Sequence, residues 1–276
     1  MKRSILAILI VILVAATLCG CTQQLKLNQA NSGIGNAGAG MGQRQGAGAG
    51  NAGNAGNAGA GGRGPHGGMQ HGMRGNEGNM APGFNMSYLK SQIMSYPKGN
   101  LTPVEREDLI HMIQEEKLAH DVYITLYEKW KLPIFQNIAR SESTHMAAIE
   151  ALLQKYNITN PVANMGVGQF ANPNFTKLYN ELVSEGSKNV TSALKVGALI
   201  EDLDIYDLQK CINQTDKPDI KLVYSNLMKG SRNHMRAFVS MLKSYNSSYT
   251  PKYISIQEFN QIISTQTERG MTRSTS

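Results

Sequence analysis

The sequence has little cysteine, which limits both its disulfide and its metal chemistry. Three cysteines occur in 276 residues, at positions 19, 21 and 211. Two of them close the N-terminal segment described below, so a single cysteine is left for the folded part of the chain. This excludes an intramolecular disulfide framework. We expect Cys211 to be a small apolar residue inside a helix, since lone cysteines in proteins are usually buried in this way.

The sequence also lacks a concentrated block of positive charge. The 27 Lys and Arg residues exceed the 20 Asp and Glu residues, which gives a net charge of +7. After the N-terminal segment, however, no run of Lys or Arg appears. Proteins that bind nucleic acid usually gather such residues on one face or along one helix. We therefore expect no nucleic-acid partner.

The only long apolar run lies at the N terminus and is too short to cross a membrane, which takes about 20 apolar residues. Residues 1–20 begin Met-Lys-Arg and continue with an apolar core, which is typical of an export signal. The sequence "LCGC" at its end resembles the lipobox of prokaryotic lipoproteins. This implies that Cys21 becomes the lipidated first residue of a protein anchored at the outer face of the membrane or the cell surface. The alternative is an ordinary cleaved signal with a chance cysteine.

Residues 21–85 have the composition of a disordered tether. Most of this segment is a Gly, Ala and Asn repeat without aromatic residues or β-branched runs, so it offers too little apolar surface for a core. The end of this linker gathers imidazole and thioether groups that suit soft metals such as Cu(I), at His66, Met69, His71 and Met73. Gly-rich tracts also collect such residues by chance, and we favour that interpretation.

Residues 86–250 predict an all-α domain with four long amphipathic helices. The sequence "TPVE" at 102–105 is a capping box with proline at the first helical position. The predicted long helices end near Trp130, Tyr156, Thr215 and Tyr245, and a short helix is expected over 174–185. A long connection between the second and third long helices fits a ferritin-like four-helix bundle with one crossover. We assign 251–276 to a partly disordered C-terminal extension that has one possible short strand near "KYISI".

Polar residues interrupt the apolar seam of every long helix. In the second helix the seam runs Phe135, Ile138, Glu142, His145, Ile149, Leu152, Tyr156. A charged group on a buried seam is costly unless something pairs with it. The other helices contribute Glu116, then Glu201 and Asp204, then His234. In di-iron carboxylate bundles two helices each supply a Glu and the other two each supply Glu-x-x-His. The same order is found here, except that Ser231 stands where the last helix would have its Glu.

The motifs "EEKLAHDVY" (115–123), "SESTH" (141–145), "IEDLDIYDL" (200–208) and "GSRNHMRAF" (230–238) resemble the ferritin-like family catalogued as domain of unknown function 2202. Glu116 and Ala119 with Tyr123 also resemble the first metal helix of rubrerythrin, which has Arg where this chain has His120. The resemblance implies iron, with two ions expected and manganese as an alternative. It also implies a reaction of Fe(II) with O₂ or peroxide. No Cys-x-x-Cys pair is present for the electron relay of rubrerythrin.

Several alternatives remain open at this point. The expected ligands are Glu116, Glu142, His145, Glu201, Asp204 and His234, with Asp204 replacing the missing Glu or with a single ion bound. The other function class is a non-enzymatic metal-binding or structural module at the cell surface. A homodimer is compatible with either class. We expect Glu115 to be a solvated neighbour of Glu116, and His111 to lie at the surface or the edge of the core.

Overall fold

The computed structural model describes residues 85–271, which form seven helices and no strand. The helices are α1 Met86–Ser95, α2 Pro103–Trp130, α3 Pro133–Tyr156, α4 Pro173–Gly186, α5 Val190–Gln214, α6 Pro218–Ser244 and α7 Ile256–Ser264. The prediction of an all-α helical bundle is confirmed. Among the described residues, no helix has the length and apolar character that crossing a membrane requires.

Local signals set the ends of the helices as the sequence predicts. The side chain of Thr102 accepts a hydrogen bond from the backbone N–H of Glu105 (3.1 Å), and Glu105 Oε2 accepts one from the N–H of Thr102 (2.8 Å). This is the predicted capping box of α2. At the other end, Lys131 adopts a left-handed conformation (φ 53°) and Pro133 begins α3. The side chain of Asn172 caps the start of α4 by accepting a hydrogen bond from the backbone N–H of Asn174.

Contacts between the helix ends fix the direction of the four long helices. Thr215, which follows α5, donates a hydrogen bond to Glu105 at the start of α2, so α2 and α5 are antiparallel. Lys155 at the end of α3 pairs with Asp219 at the start of α6. Only two residues separate α2 from α3, and these two helices are antiparallel as well. It follows that α3 and α5 run in the same direction, and that residues 157–189, including α4, carry the chain back along the bundle.

The core has two apolar parts with a polar layer between them. One part includes Tyr123, Phe135 and Phe238. The other includes Ile113 and Leu152, together with residues of α1, α5 and α6. Cys211 is buried in the second part, as predicted. Along α2, α3 and α6, the polar seam residues lie between the segments that fill the two apolar parts. Because both sides of this layer are apolar, its polar groups depend on one another or on a ligand.

Two elements differ from the sequence prediction. The helix α1 was not predicted; it packs on α3 and α6 and buries Leu89 and Ile93. The prediction of a possible short strand near "KYISI" is wrong, because Ser255 caps α7 and no strand forms there. Phe259 and Ile262 of α7 are buried in the core. The chain after residue 250 therefore contributes to the bundle as far as α7.

Several predictions fall on parts of the chain outside the described residues. These are the signal peptide at 1–20, the lipidation of Cys21, the linker up to residue 84, and the group of His66, Met69, His71 and Met73. They stay predictions.

Candidate metal centre

Five polar side chains from four helices meet in the layer between the two apolar parts of the core. We call them the central cluster: Glu116 of α2, Glu142 and His145 of α3, Glu201 of α5 and His234 of α6. All five are buried, with at most 8% of any residue exposed. Glu142 and His145 lie on one face of α3 because residues three apart in a helix are neighbours.

Glu142 lies at the middle of the central cluster and contacts both histidines. Its Oε2 is 2.7 Å from Nδ1 of His145, and its Oε1 is 2.9 Å from Nδ1 of His234. The two imidazole rings are stacked, with their centroids 5.6 Å apart. One carboxylate therefore joins two imidazoles, one through each of its oxygens.

Each histidine also contacts a second carboxylate. Nδ1 of His145 is 3.1 Å from Oε2 of Glu116, and Nδ1 of His234 is 3.3 Å from Oε2 of Glu201. The central cluster thus consists of two groups, each with two carboxylates and one imidazole, that share Glu142. Within each group the ligand atoms lie within 4.8 Å of one another. Spacings of this size suit the coordination of one cation per group.

The charges of the central cluster are strongly coupled. Burial lowers the pKa of His234, but the carboxylates of Glu142 and Glu201 outweigh this effect and raise the pKa to about 10. Burial raises the pKa of Glu116 to about 8, against the opposing charge of His145. Burial alone would raise the pKa of Glu142, but the charges of His234 and His145 hold it well below its usual range. When no cation is bound, protons on these side chains therefore neutralise the negative charge of the carboxylates.

Asp204 lies beside the central cluster but belongs to neither of its two groups. Its Oδ2 accepts a hydrogen bond from the hydroxyl of Ser231, while its buried Oδ1 has no hydrogen-bond partner. Burial raises the pKa of Asp204 well above its usual range, and the charges of Glu116 and Glu115 add to this effect. Ser231 thus holds the carboxyl of Asp204 near the place of the missing glutamate. A ligand role for Asp204 stays a prediction.

Three further residues position the central cluster. The hydroxyl of Tyr123 donates a hydrogen bond to Oε1 of Glu201, and Ser141 lies 3.0 Å from Nε2 of His234. A Cβ atom at Gly230 would lie 2.5 Å from Nε2 of His145, so this ring needs a residue without a side chain at that place. Neither Ser141 nor Gly230 was predicted to take part in the site. Only their positions next to Glu142 and Ser231 in the sequence could have indicated such a role.

The prediction that Glu115 is solvated is wrong. Glu115 is 3% exposed and lies 3.3 Å from Nε2 of His111, which in turn lies 3.9 Å from Oδ2 of Asp207. Asp207 was not among the predicted site residues. His111 is half-buried, in agreement with its expected place at the edge of the core. His120 is not part of the central cluster, since its Nδ1 contacts Asp121 at 2.9 Å.

Comparisons with known proteins identify a family that the chain matches. The model of the family described as uncharacterized protein domain DUF2202 matches residues 105–266, which include the whole central cluster. The chain is 62% identical over 181 residues to uncharacterized protein MJ0754 of Methanocaldococcus jannaschii, covering 66% of this chain and 98% of that protein. A solved structure described as hypothetical protein MJ0754 from Methanococcus jannaschii DSM 2661 is similar, with a TM-score of 0.62 and 62% identity. That match covers 62% of this chain and 98% of the other.

Proposed function

We propose that this chain, which belongs to the DUF2202 family, is a metal protein whose central cluster holds two divalent cations, iron in the first place and manganese as the alternative. The observation that carries the proposal is the position of Glu142, which offers one oxygen to each of two groups of ligands. A bridging carboxylate of this kind allows two ions to lie about 3.5–4 Å apart. Carboxylate oxygens and imidazole nitrogens are suitable ligands for both metals.

The charge balance of the central cluster supports a cation rather than a closed hydrogen-bond network. Three carboxylates face two imidazoles, and Oε1 of Glu116 is buried without a hydrogen-bond partner. A buried oxygen in this state costs about 1–3 kcal/mol. A divalent cation would satisfy that oxygen and neutralise the carboxylates together. Glu116, Glu142 and His145 would hold one ion, and Glu142, Glu201 and His234 the other.

The resemblance to ferritin and rubrerythrin extends the proposal to an oxidoreductase. Bound iron would supply the electrons for reducing O₂ or peroxide. Because Ser231 replaces a glutamate, the protein offers few ligands, and open positions for a small substrate would remain. The chain's own part is to orient the ligands through Tyr123 and Ser141 and to exclude water with the two apolar parts of the core. An outside donor must supply further electrons, since no Cys-x-x-Cys pair is present.

The second candidate is a non-enzymatic module, either metal-binding or purely structural. One observation favours it. Each imidazole of the central cluster already contacts two carboxylates, so protons alone can balance much of the charge. In both cases we propose that the protein is exported and tethered to the cell surface through Cys21. A homodimer remains compatible with both.

Metal analysis of the mature protein tests the proposal. Purified protein that has been loaded with Fe(II) without oxygen and then desalted should carry two iron atoms per chain in the central cluster. Glu142→Gln should lose these two, because Glu142 is shared, and its nearly equal size should preserve the fold. Glu150→Gln, on the same helix and outside the central cluster, should retain both. Iron content that does not differ between the two variants would exclude the central cluster as the site.

Oxygen consumption separates the two candidates. After Fe(II) is added to the metal-free protein, an enzyme should consume O₂ faster than the same Fe(II) in buffer, and Glu142→Gln should abolish the difference. Stoichiometric iron without faster oxygen consumption would support a binding protein. A well-folded protein that binds no iron and no manganese would leave only the structural module.

A further inference from the structure

A second group of ionisable side chains lies between α2 and α5, apart from the central cluster. It consists of His111 and Glu115, one turn apart on α2, and Asp207 on α5. Nε2 of His111 is 3.3 Å from Oε2 of Glu115 and 3.9 Å from Oδ2 of Asp207. All three ligand atoms lie within 4.8 Å of one another. The function proposed above uses none of these residues.

The carboxylate of Glu115 has no hydrogen-bond partner, although it is almost fully buried. The residue is 3% exposed, and the buried atoms without such a partner include both of its oxygens and Nε2 of His111. Tyr253 lines a small cavity together with Glu115, and its buried hydroxyl also has no hydrogen-bond partner. Buried polar side chains nearly always have a hydrogen-bond partner. A buried carboxylate that has the ion pair with His111 but no hydrogen bond, beside other buried atoms without hydrogen bonds, indicates an absent ion or ligand.

We propose that His111, Glu115 and Asp207 bind a further divalent transition-metal cation, independently of the central cluster. Bonds of about 2.1 Å from one ion to nitrogen and oxygen ligands place two ligands at most about 4.2 Å apart. The two distances from Nε2 of His111 are both below this limit. One imidazole and two carboxylates suit zinc, manganese or iron and leave positions open for water.

The partial exposure of His111 makes the proposed site accessible to cations from solvent. Its side chain is 16% exposed, whereas those of Glu115 and Asp207 are 4% and 8% exposed. The ring packs against Phe175 of α4 with the centroids 5.3 Å apart, which keeps the imidazole in place. A cation can therefore meet His111 first and then bind the two buried carboxylates.

Binding of Mn²⁺ to the mature protein, followed by electron paramagnetic resonance, tests the proposal. In Glu142→Gln, which removes the shared ligand of the central cluster, one Mn²⁺ per chain should remain bound. Adding Asp207→Asn to this variant should weaken that binding by about 100-fold or more, since the loss of a direct ligand should cost at least as much as the loss of an outer group that orients one. Adding Glu107→Gln, at an exposed position of α2, should change the affinity less than twofold. The same comparison in the unaltered protein should show the loss of one ion.

The outcomes separate this proposal from the one above. If unaltered protein binds one Mn²⁺ that Asp207→Asn removes and Glu142→Gln does not, the further site stands and the central one fails. If no bound Mn²⁺ is sensitive to Asp207→Asn, the further site is overturned. Should that variant lose helical circular dichroism, His111→Gln, at the edge of the core, takes its place. In Glu142→Gln, where the central cluster should be empty, Mn²⁺ should also broaden the ring resonances of His111, and sharp resonances at saturation would overturn the proposal.

Discussion

Tyr123 and Glu201 are joined across the bundle by a hydrogen bond from the tyrosine hydroxyl to Oε1 of the carboxylate. The other oxygen of Glu201 lies 3.3 Å from Nδ1 of His234. Burial raises the pKa of Tyr123 well above its usual value, and the charge of Glu201 adds to this, so the hydroxyl keeps its proton. With a partner on each oxygen, the carboxylate of Glu201 has one orientation. Tyr123 is therefore a positioning residue for the central cluster.

Replacing this tyrosine should weaken metal binding at the central cluster. Outer groups that orient metal ligands are typically worth about 10–100-fold in affinity. We expect Tyr123→Phe to weaken Fe(II) or Mn²⁺ binding by about 10-fold, measured by titration without oxygen. Tyr127→Phe, one turn further along α2, is the matched control and should change the affinity less than twofold. Equal affinities in the two variants would mean that Glu201 is not oriented in this way.

A methyl group at Gly230 should disturb the same cluster from the other side. Its Cβ would lie 2.5 Å from Nε2 of His145, so the ring must turn away from Glu116 and Glu142. Alanine favours a helix over glycine by about 1 kcal/mol, so the helix itself should not be weakened. Gly230→Ala should therefore lose at least one bound cation and keep its helical circular dichroism. The exposed control Ser240→Ala should bind metal like the unaltered protein, and full metal content in Gly230→Ala would contradict the prediction.

The metal-free protein should become less stable as the pH rises from about 6.5 to 10. The folded state raises the pKa of His234 from 6.5 to about 10 and that of Glu116 from 4.5 to about 8. In this window the folded state holds more protons than the unfolded state, so the free energy of unfolding falls with pH. Urea unfolding in the presence of a chelator measures this slope. A free energy that rises across the window would contradict the charge assignment.

Bound divalent cations should flatten this dependence, because they replace the protons of the central cluster. The same urea series with saturating Mn²⁺ is the matched measurement. Its free energy of unfolding should exceed the metal-free value most clearly at the alkaline end. Parallel curves with and without Mn²⁺ would show that the cation binds elsewhere.

The fate of Cys21 tests the proposed location. If this residue carries the lipid, Cys21→Ala should move the protein from the membrane fraction to the medium or leave an uncleaved precursor. Immunoblots of the fractions measure the change. Unchanged membrane association would point to another anchor.

The sequence predicts those features that local physics sets. The capping box at Thr102 and the break at Pro133 depend on a few adjacent residues, and the structure has both. Glu142 and His145 were recognisable because they interrupt an apolar seam at helical spacing. Such signals need no knowledge of the neighbouring helices.

The rotation and docking of each helix were less predictable. Glu115 and Glu116 are adjacent, and both are buried, yet each serves a different cluster. The face of α2 that carries Glu115 is buried because α4 and α5 pack against α2. The helix α7 was missed for a related reason, since its nine residues owe their place to contacts with α6 and to Asp202. The contact of α6 with α7 joins Arg236 to Ile262, 26 positions apart, and those of Asp202 join residues 47 to 52 positions apart, which no local pattern reveals.

Asp202 fixes the segment between α6 and α7. It is fully buried, and its carboxylate accepts hydrogen bonds from the hydroxyl of Tyr249 and from the backbone N–H groups of Lys252, Tyr253 and Ile254. Hydrogen bonds to a charged group contribute about 1.5–3 kcal/mol each, and buried donors that lose their partner are costly. Asp202→Ala should therefore lower the free energy of unfolding by about 3 kcal/mol or more. Tyr249→Phe removes one of the four bonds and should cost about 1.5 kcal/mol, the lower end of that range.

Limited proteolysis separates this local role from a general loss of stability. In Asp202→Ala the segment at 245–255 should be cleaved first, under conditions where the unaltered protein and Tyr249→Phe stay intact. Urea unfolding of the three proteins gives the free energies. If Asp202→Ala unfolds with the same free energy as Tyr249→Phe, the three backbone donors must find other partners. The carboxylate would then not be what holds α7 against the bundle.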